Sequence, residues 1–240
     1  MPLAPTRIIP ITRKALSFDG VDDYALATIP LVSRYNFTVI VYGKPLVAKN
    51  TTQNFISLWS NTRSVASLAY RLAPDQDFRF FYFAEDNSIP YLTTAYGQEP
   101  NIWHFFAFGV ANGTNMFYWY DETKRTVTTA SPPRDDITRV YIGQNGGNAN
   151  YLNGDIAYVL IYNRALSDDE IAQIYNDPDH PPKSGLVLWL HDTSIDIENN
   201  VWRDLSGQGN NATIYGATAV DVVRPATRVI NATRIIEPTR

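Results

Sequence analysis

Three histidines stand in this chain, His104, His180 and His191, too far apart in sequence to declare a common site. His104 lies in an aromatic run that reads as a strand, where a packed imidazole is the ordinary outcome. Asp168, Asp169 and Glu170 are adjacent, but they open a helical segment, where acids complement the N-terminal dipole. No Gly-rich phosphate loop, G-x-S-x-G elbow or H-E-x-x-H pair occurs. These residues point away from catalysis. Sugar recognition is better provided for, because aromatic rings stack on pyranose faces while amides bond hydroxyls. The aromatic candidates are Trp59, Tyr82, Tyr91, Tyr96, Trp119 and Tyr120, with Asn145 and Asn148 in the loop GQNGGNANY. The same aromatics suit a sandwich core and the same loop suits a plain turn, so both readings stand. N-x-S/T acceptors occur at Asn36, Asn50, Asn112, Asn211 and Asn231. Asn36 opens an apolar strand and is the least suited to glycosylation. Modification of the others would place the protein outside a cell or on a virion.

Short strands must carry these residues. YNFTVIVYG is apolar on both alternating faces, as a strand buried on two sides would be. NFISLWS, VASLAYRLA, DFRFFYFAED, IPYLTTAYG and TRVYIGQNG follow at near-regular spacing. ANGTN interrupts the longest aromatic stretch as a hairpin turn. Many short strands with turn signals between them predict a sandwich or jelly roll. One helix is expected near 166–176, where Ser167 and Glu170 form a capping box and Pro178 ends the run. The 240 residues, 45% of them hydrophobic, suffice for one such domain. The net charge of −4 argues against a nucleic-acid binder working through a positive field. Cysteine is absent, which removes disulfides, thiolate metal sites and a Cys nucleophile. No apolar run is long enough for a membrane span, and MPLAPTRIIPITR lacks the apolar region of a signal peptide. Exported protein would have had its signal removed or replaced by Met1.

Two motifs carry a family resemblance. ALSFDGVDDYA (15–25) resembles the entry motif of the LamG-like, concanavalin A-like jelly-roll family. YLNGDIAYVLIYNRALSDDEIAQIY (151–175) resembles its closing motif, a turn, a strand and a short helix. FTVIVYGKP and IWHFFAFGV sit where such domains place two further strands. The resemblance covers about residues 15–175 in normal order. It implies an all-β jelly-roll sandwich. The family's usual opening segment resembles GLVLWLHDTSIDIENNVWRDLSGQGNNATIYGA (185–217), which here follows the closing helix. A circular permutation is therefore expected, with 178–185 as the linker. Its rivals are a truncated second repeat and a segment that completes a neighbouring subunit. The expected division is an N-terminal arm at 1–14, one sandwich at 15–220 and a C-terminal arm at 221–240. The resemblance also implies calcium as a cofactor, with Asp19, Asp22, Asp23 and Asp155 as candidate ligands. The same aspartates can cap turns. The E-x-D-x-x-E strand of some glucanases of this fold is absent.

The arms are basic. Residues 1–14 carry +3 and residues 221–240 carry +2, leaving −9 on the remainder of a chain whose total is −4. TRIIPITR (6–13) resembles TRVINATR (227–234), and both are β-prone. Basic arms on an acidic body suit attraction between copies. The sequence thus supports a non-catalytic structural subunit of an extracellular or virion assembly, a homo-oligomer joined through its arms. The alternative is a carbohydrate-binding or adhesion module with glycan partners. A glycan-active enzyme is the remotest reading.

Overall fold

Phe37, Val39 and Val41 turn to one side of their strand and Thr38 and Ile40 to the other, and all five are fully buried. A strand covered on both faces needs a layer on each side, and the whole architecture follows from that. The computed structural model describes residues 12–47, 51–71, 76–95 and 97–223. In the first half the strands are β1 (Thr12–Asp19), β2 (Tyr24–Val32), β3 (Phe37–Pro45), β4 (Gln53–Trp59), β5 (Ser64–Tyr70), β6 (Phe78–Tyr82) and β7 (Tyr91–Thr93). β8 (His104–Ala111), β9 (Asn115–Tyr120), β10 (Thr123–Thr128), β11 (Ile137–Ile142) and β12 (Asn153–Tyr162) follow. Then come α1 (Asp168–Asn176), β13 (Leu186–Asp196), β14 (Val201–Asp204), β15 (Ala212–Tyr215) and β16 (Thr218–Val223).

One antiparallel hydrogen-bonded path runs β10-β9-β8-β3-β12-β13-β14-β15-β2-β11-β4-β5-β6-β7, and β1 joins β12 to β16. The path doubles back at β14. β8, β3, β12 and β13 form one layer, and β2, β11, β4, β5 and β6 form the other. Phe106, Phe108, Val39, Val41, Val159 and Ile161 from the first layer meet Ile56, Leu58, Val140, Leu68 and Phe80 from the second. The outer face of the first layer is apolar too. Ile40, Phe105, Tyr158, Leu160 and Trp189 pack there under Ile171 and Ile174 of α1. The Ser167 hydroxyl accepts the Glu170 N–H and the Glu170 carboxylate accepts the Ser167 N–H, so the helix starts where the capping box places it.

The run 185–217 lies within this body. β13 pairs with β12, matching Leu190 to Val159 and Trp189 to Leu160. β15 pairs with β2, matching Ile214 to Ala25 and Tyr215 to Tyr24. The segment therefore links the two layers of its own chain, and Trp202, fully buried, donates its indole N–H to the His191 carbonyl at 2.8 Å. β1 and β16 pair from Ser17–Thr218 out to Thr12–Val223, so both ends of the described chain leave the body at one place. Most of both terminal arms lies outside the described residues.

Candidate functional site

Asp19, Asp22 and Asp23 come together because the chain turns sharply between β1 and β2. Asp19 accepts the Val21 N–H at 2.7 Å and Asp23 accepts the Asp19 N–H at 2.9 Å. Ligand-type oxygens of all three lie within 4.8 Å of one another. Burial pushes the Asp23 carboxyl above its ordinary value. The Asp19 amide opposes this, and the negative charges of Asp19 and Asp22 add to the rise. Gly216 covers the turn: at φ +76° it is left-handed, and a Cβ there would stand 2.0 Å from an Asp23 oxygen. Asp155 stands apart from the three. Along β12 it is Asn153 that faces Asp19, whereas Asp155 faces Ser17 and lies 3.4 Å from the Lys44 ammonium.

Immediately after this turn begins a row of aromatic rings on the outer face of the second layer. Alternation explains it: Ala25, Val140, Ile142 and Leu58 enter the core, so Tyr24, Tyr141 and Trp59 face outward. Tyr215 stacks on Tyr24 with centroids 4.4 Å apart and planes 12° from parallel. Tyr141 lies 6.5 Å from Tyr24, and Trp59 meets Tyr141 edge-on at 5.6 Å. Four strands thus contribute one ring each. Burial raises the Tyr24 phenol, and Tyr215, Tyr151 and Tyr141 add to the rise, so the four phenols gather together. None of the four hydroxyls bonds to protein among the described residues. Because neighbouring rings stand side by side, the row offers hydroxyls and ring edges, with full faces only at its ends.

The loop from Gly143 to Asn150 closes one end of the row. The Trp59 indole N–H donates to the Asn145 carbonyl at 2.8 Å. Gly146, at φ +79°, lies so close that a Cβ would reach the indole nitrogen at 2.3 Å. The Asn145 side chain accepts from Gly147 and Ala149 and so shapes the loop. Asn148 is exposed at φ +54° with its amide side chain toward solvent.

The other sugar-contact candidates are scattered. Tyr91 is exposed at β7 with the Arg79 guanidinium 4.0 Å over its ring. Trp119 lies across the molecule, half-buried in the cluster that includes α1. Tyr82 is fully buried, with its hydroxyl donating to the Ser131 carbonyl. Tyr120 donates to Gln98 at 2.6 Å. Tyr96 lies outside the described residues. The structure therefore brings together Trp59, Asn145 and Asn148 from the sequence candidates. It adds Tyr24, Tyr141, Tyr151 and Tyr215, which the sequence reading did not single out. The alternation of YALATI and TRVYIG marks Tyr24 and Tyr141 as outward, but their partnership with Tyr215 requires the β15–β2 pairing.

Among the glycosylation candidates, Asn112 is exposed in the β8–β9 hairpin, and Asn211 is exposed with its side chain accepting the Asp204 N–H. Asn36 is half-buried and accepts the Asn112 N–H, and Asn50 and Asn231 lie outside the described residues. His104 is 7% exposed, bonded to Asp121 at 2.9 Å and lying 3.2 Å from the Tyr120 hydroxyl. That phenol is pushed far above its ordinary value by burial and then by Asp121, which suits a hydrogen-bonding role.

A family profile described as "Concanavalin A-like lectin/glucanases superfamily" matches residues 19–172. Among curated proteins no match to the sequence is found. The fold is similar to the native heptameric SAP-like pentraxin of Limulus polyphemus, with a TM-score of 0.64 and 14% identity over 92% of this chain and 100% of that one. Trypanosoma rangeli sialidase in complex with sialic acid gives 0.51 and 19% identity over 69% of this chain and 28% of the sialidase. The binding domain of Paraclostridial Mosquitocidal Protein 1 gives 0.51 and 14% identity, over 68% of this chain and 46% of that one. At such identities these neighbours speak for the fold alone. No helix among the described residues is long and apolar enough to cross a membrane. With the profile spanning more than half of its length, and both motifs in place, the chain belongs to the concanavalin A-like lectin/glucanases superfamily.

Proposed function

We propose that this protein is a non-catalytic carbohydrate-binding module whose contact surface is the tyrosine row with Trp59 and the 143–150 loop. The observation that carries this reading is the gathering of Tyr24, Tyr141 and Tyr215 on one sheet face, their hydroxyls without protein partners among the described residues. Sugars need such groups, because each hydroxyl both donates and accepts and an apolar ring edge packs against C–H surface. The Asp19–Asp22–Asp23 turn adjoins Tyr24, and its all-oxygen donor set fits a hard divalent cation. Calcium bound there would neutralise the crowded carboxylates and offer coordination to a sugar hydroxyl. The three aspartates would hold the ion, and Gly216 would keep the turn closed.

A glycan array probed with and without calcium tests the proposal. At least one glycan class is expected to bind, and Tyr141→Ala should weaken it at least tenfold while leaving the melting temperature nearly unchanged. Silence across neutral and acidic glycans with calcium present would sink the reading.

One observation favours a second role as a structural subunit of an extracellular or virion assembly. Thr12 and Val223, where the described chain begins and ends, are paired, and the sequence beyond them on both sides is basic. The solution mass of the intact chain is then expected to exceed that of a chain lacking 1–11 and 224–240. Equal masses would rule the arms out as assembly elements.

A further inference from the structure

The two layers stay open along one margin, where β7 and β10 approach and leave a cavity of about 170 Å³. Thr94 and Gln98 line it from one side, and Tyr118, Tyr120, Thr123 and Arg125 from the other. Tyr118 is 1% exposed, and its hydroxyl has no hydrogen-bond partner among the described residues. Its ring lies parallel to Phe106, in a core whose other buried tyrosines, Tyr70 and Tyr82, both donate their hydroxyls to backbone carbonyls. Phenylalanine would fill the same space without burying an unpaired hydroxyl, which is destabilising. A tyrosine here therefore suggests a ligand that completes the bond. Burial keeps the phenol protonated, so it is a donor.

Arg125 is the register partner of Tyr118 across the β9–β10 hairpin. It is exposed and makes no ion pair among the described residues. Much of the remaining lining is already engaged. The Thr94 hydroxyl accepts the Phe78 N–H and donates to the Ala95 carbonyl. The Gln98 oxygen accepts from Tyr120, and its amide donates to Ala95. No carboxylate lines the cavity, and the two that act on Tyr118 from behind the lining are engaged, Asp77 with Arg71 and Arg79 and Asp121 with His104. What stays unspent is a guanidinium, a buried phenol and the Thr123 hydroxyl, a donor-rich set that selects an anionic acceptor. The volume falls below the roughly 300–1,000 Å³ of drug-sized pockets, so the occupant is one ring at most.

We propose that this margin binds a small carboxylate carried on a hydroxylated ring, a free uronic acid or a molecule of that class. Arg125 would hold the carboxylate, and Tyr118 would donate to one of its oxygens or to a ring hydroxyl. The site is separate from the tyrosine row and does not depend on it.

Calorimetric titration of the full chain with glucuronate, glucose and acetate tests this. Glucuronate should bind saturably, and both glucose and acetate at least tenfold more weakly. Arg125→Gln and Tyr118→Phe should each weaken glucuronate at least tenfold, while Tyr141→Ala leaves it unchanged. Tyr118→Phe should melt at the wild-type temperature or higher, which also shows that the variant folds. The proposal is overturned if glucuronate does not saturate, if either cavity variant binds as wild type, or if acetate equals glucuronate. A lower melting temperature for Tyr118→Phe would also overturn it, since the hydroxyl would then have a structural partner.

Discussion

Arg164 grips Glu170 with two hydrogen bonds of 2.8 and 2.5 Å, and the same carboxylate caps the helix by accepting the Ser167 N–H. The Arg164 guanidinium, ahead of the Ser167 bonds, holds the Glu170 carboxyl down at about 2. An unfolded glutamate titrates near about 4.3. The folded value is the lower one, so the stabilisation is complete above about pH 4.5 and disappears as pH falls through about 2. Both side chains are over a quarter exposed, at 29% and 27%, and solvent screening reduces the pair's worth to about 1 kcal/mol. Glu170→Gln should cost about that much at pH 7 and almost nothing at pH 2, read by urea denaturation at both values. A cost independent of pH would show that the carboxylate's charge is not what anchors the helix. Asp19 and Asp155 illustrate what single residues disclose in sequence. The triad at 19–23 is local, so spacing alone brings it together. Whether Asp155 joins it depends on strand parity: with Asn153 opposite Asp19, Asp155 falls opposite Ser17.

At the scale of elements, β3 and α1 were the most legible parts of the chain. β3 spells out both of its buried faces within nine residues, and α1 carries its own start signal in Ser167 and Glu170. The tyrosine row was not legible, because Tyr215 and Tyr24 come from opposite ends of the chain and meet only through β15–β2 pairing. The segment β13–β14–β15 shows how much depends on that pairing. It supplies Leu188, Leu190, Trp202 and Ile214 to the core. Trp202→Ala removes the largest of these and one of the two hydrogen bonds to the His191 carbonyl, leaving it the Ser194 hydroxyl. A loss of about 3–5 kcal/mol is expected in equilibrium denaturation. A loss below about 1 kcal/mol would mean that the segment rests on the body without stabilising it. The edge strand β10 is of the opposite kind: all six of its residues are exposed, and Lys124 ties it to Asp168 at the helix start. Charged residues on an open edge discourage pairing with another sheet.

Over the whole molecule, the hydrogen-bonded path runs from β10 to β7 and brings its two end strands near each other, with β16 as a further edge held by β1. The tyrosine row lies on the outer face of the second layer and the edge cavity at the margin between the layers, with no residue in common, so the two proposed contacts separate by mutation. The pairing of β1 with β16 has a mechanical consequence. Tension applied at Thr12 and Val223 would act on residues that are opposite each other at one end of the ladder. The load would then peel the antiparallel bonds one pair at a time, Thr12–Val223 first and Ser17–Thr218 last, and would never shear them all at once. Pulling single molecules by handles fixed at Thr12 and Val223 should therefore give a first rupture at low force that parts β16 from β1, while β1 keeps its pairing with β12. A copy held at these two residues would yield there like an opening zipper while β3, β8 and β12 stay intact.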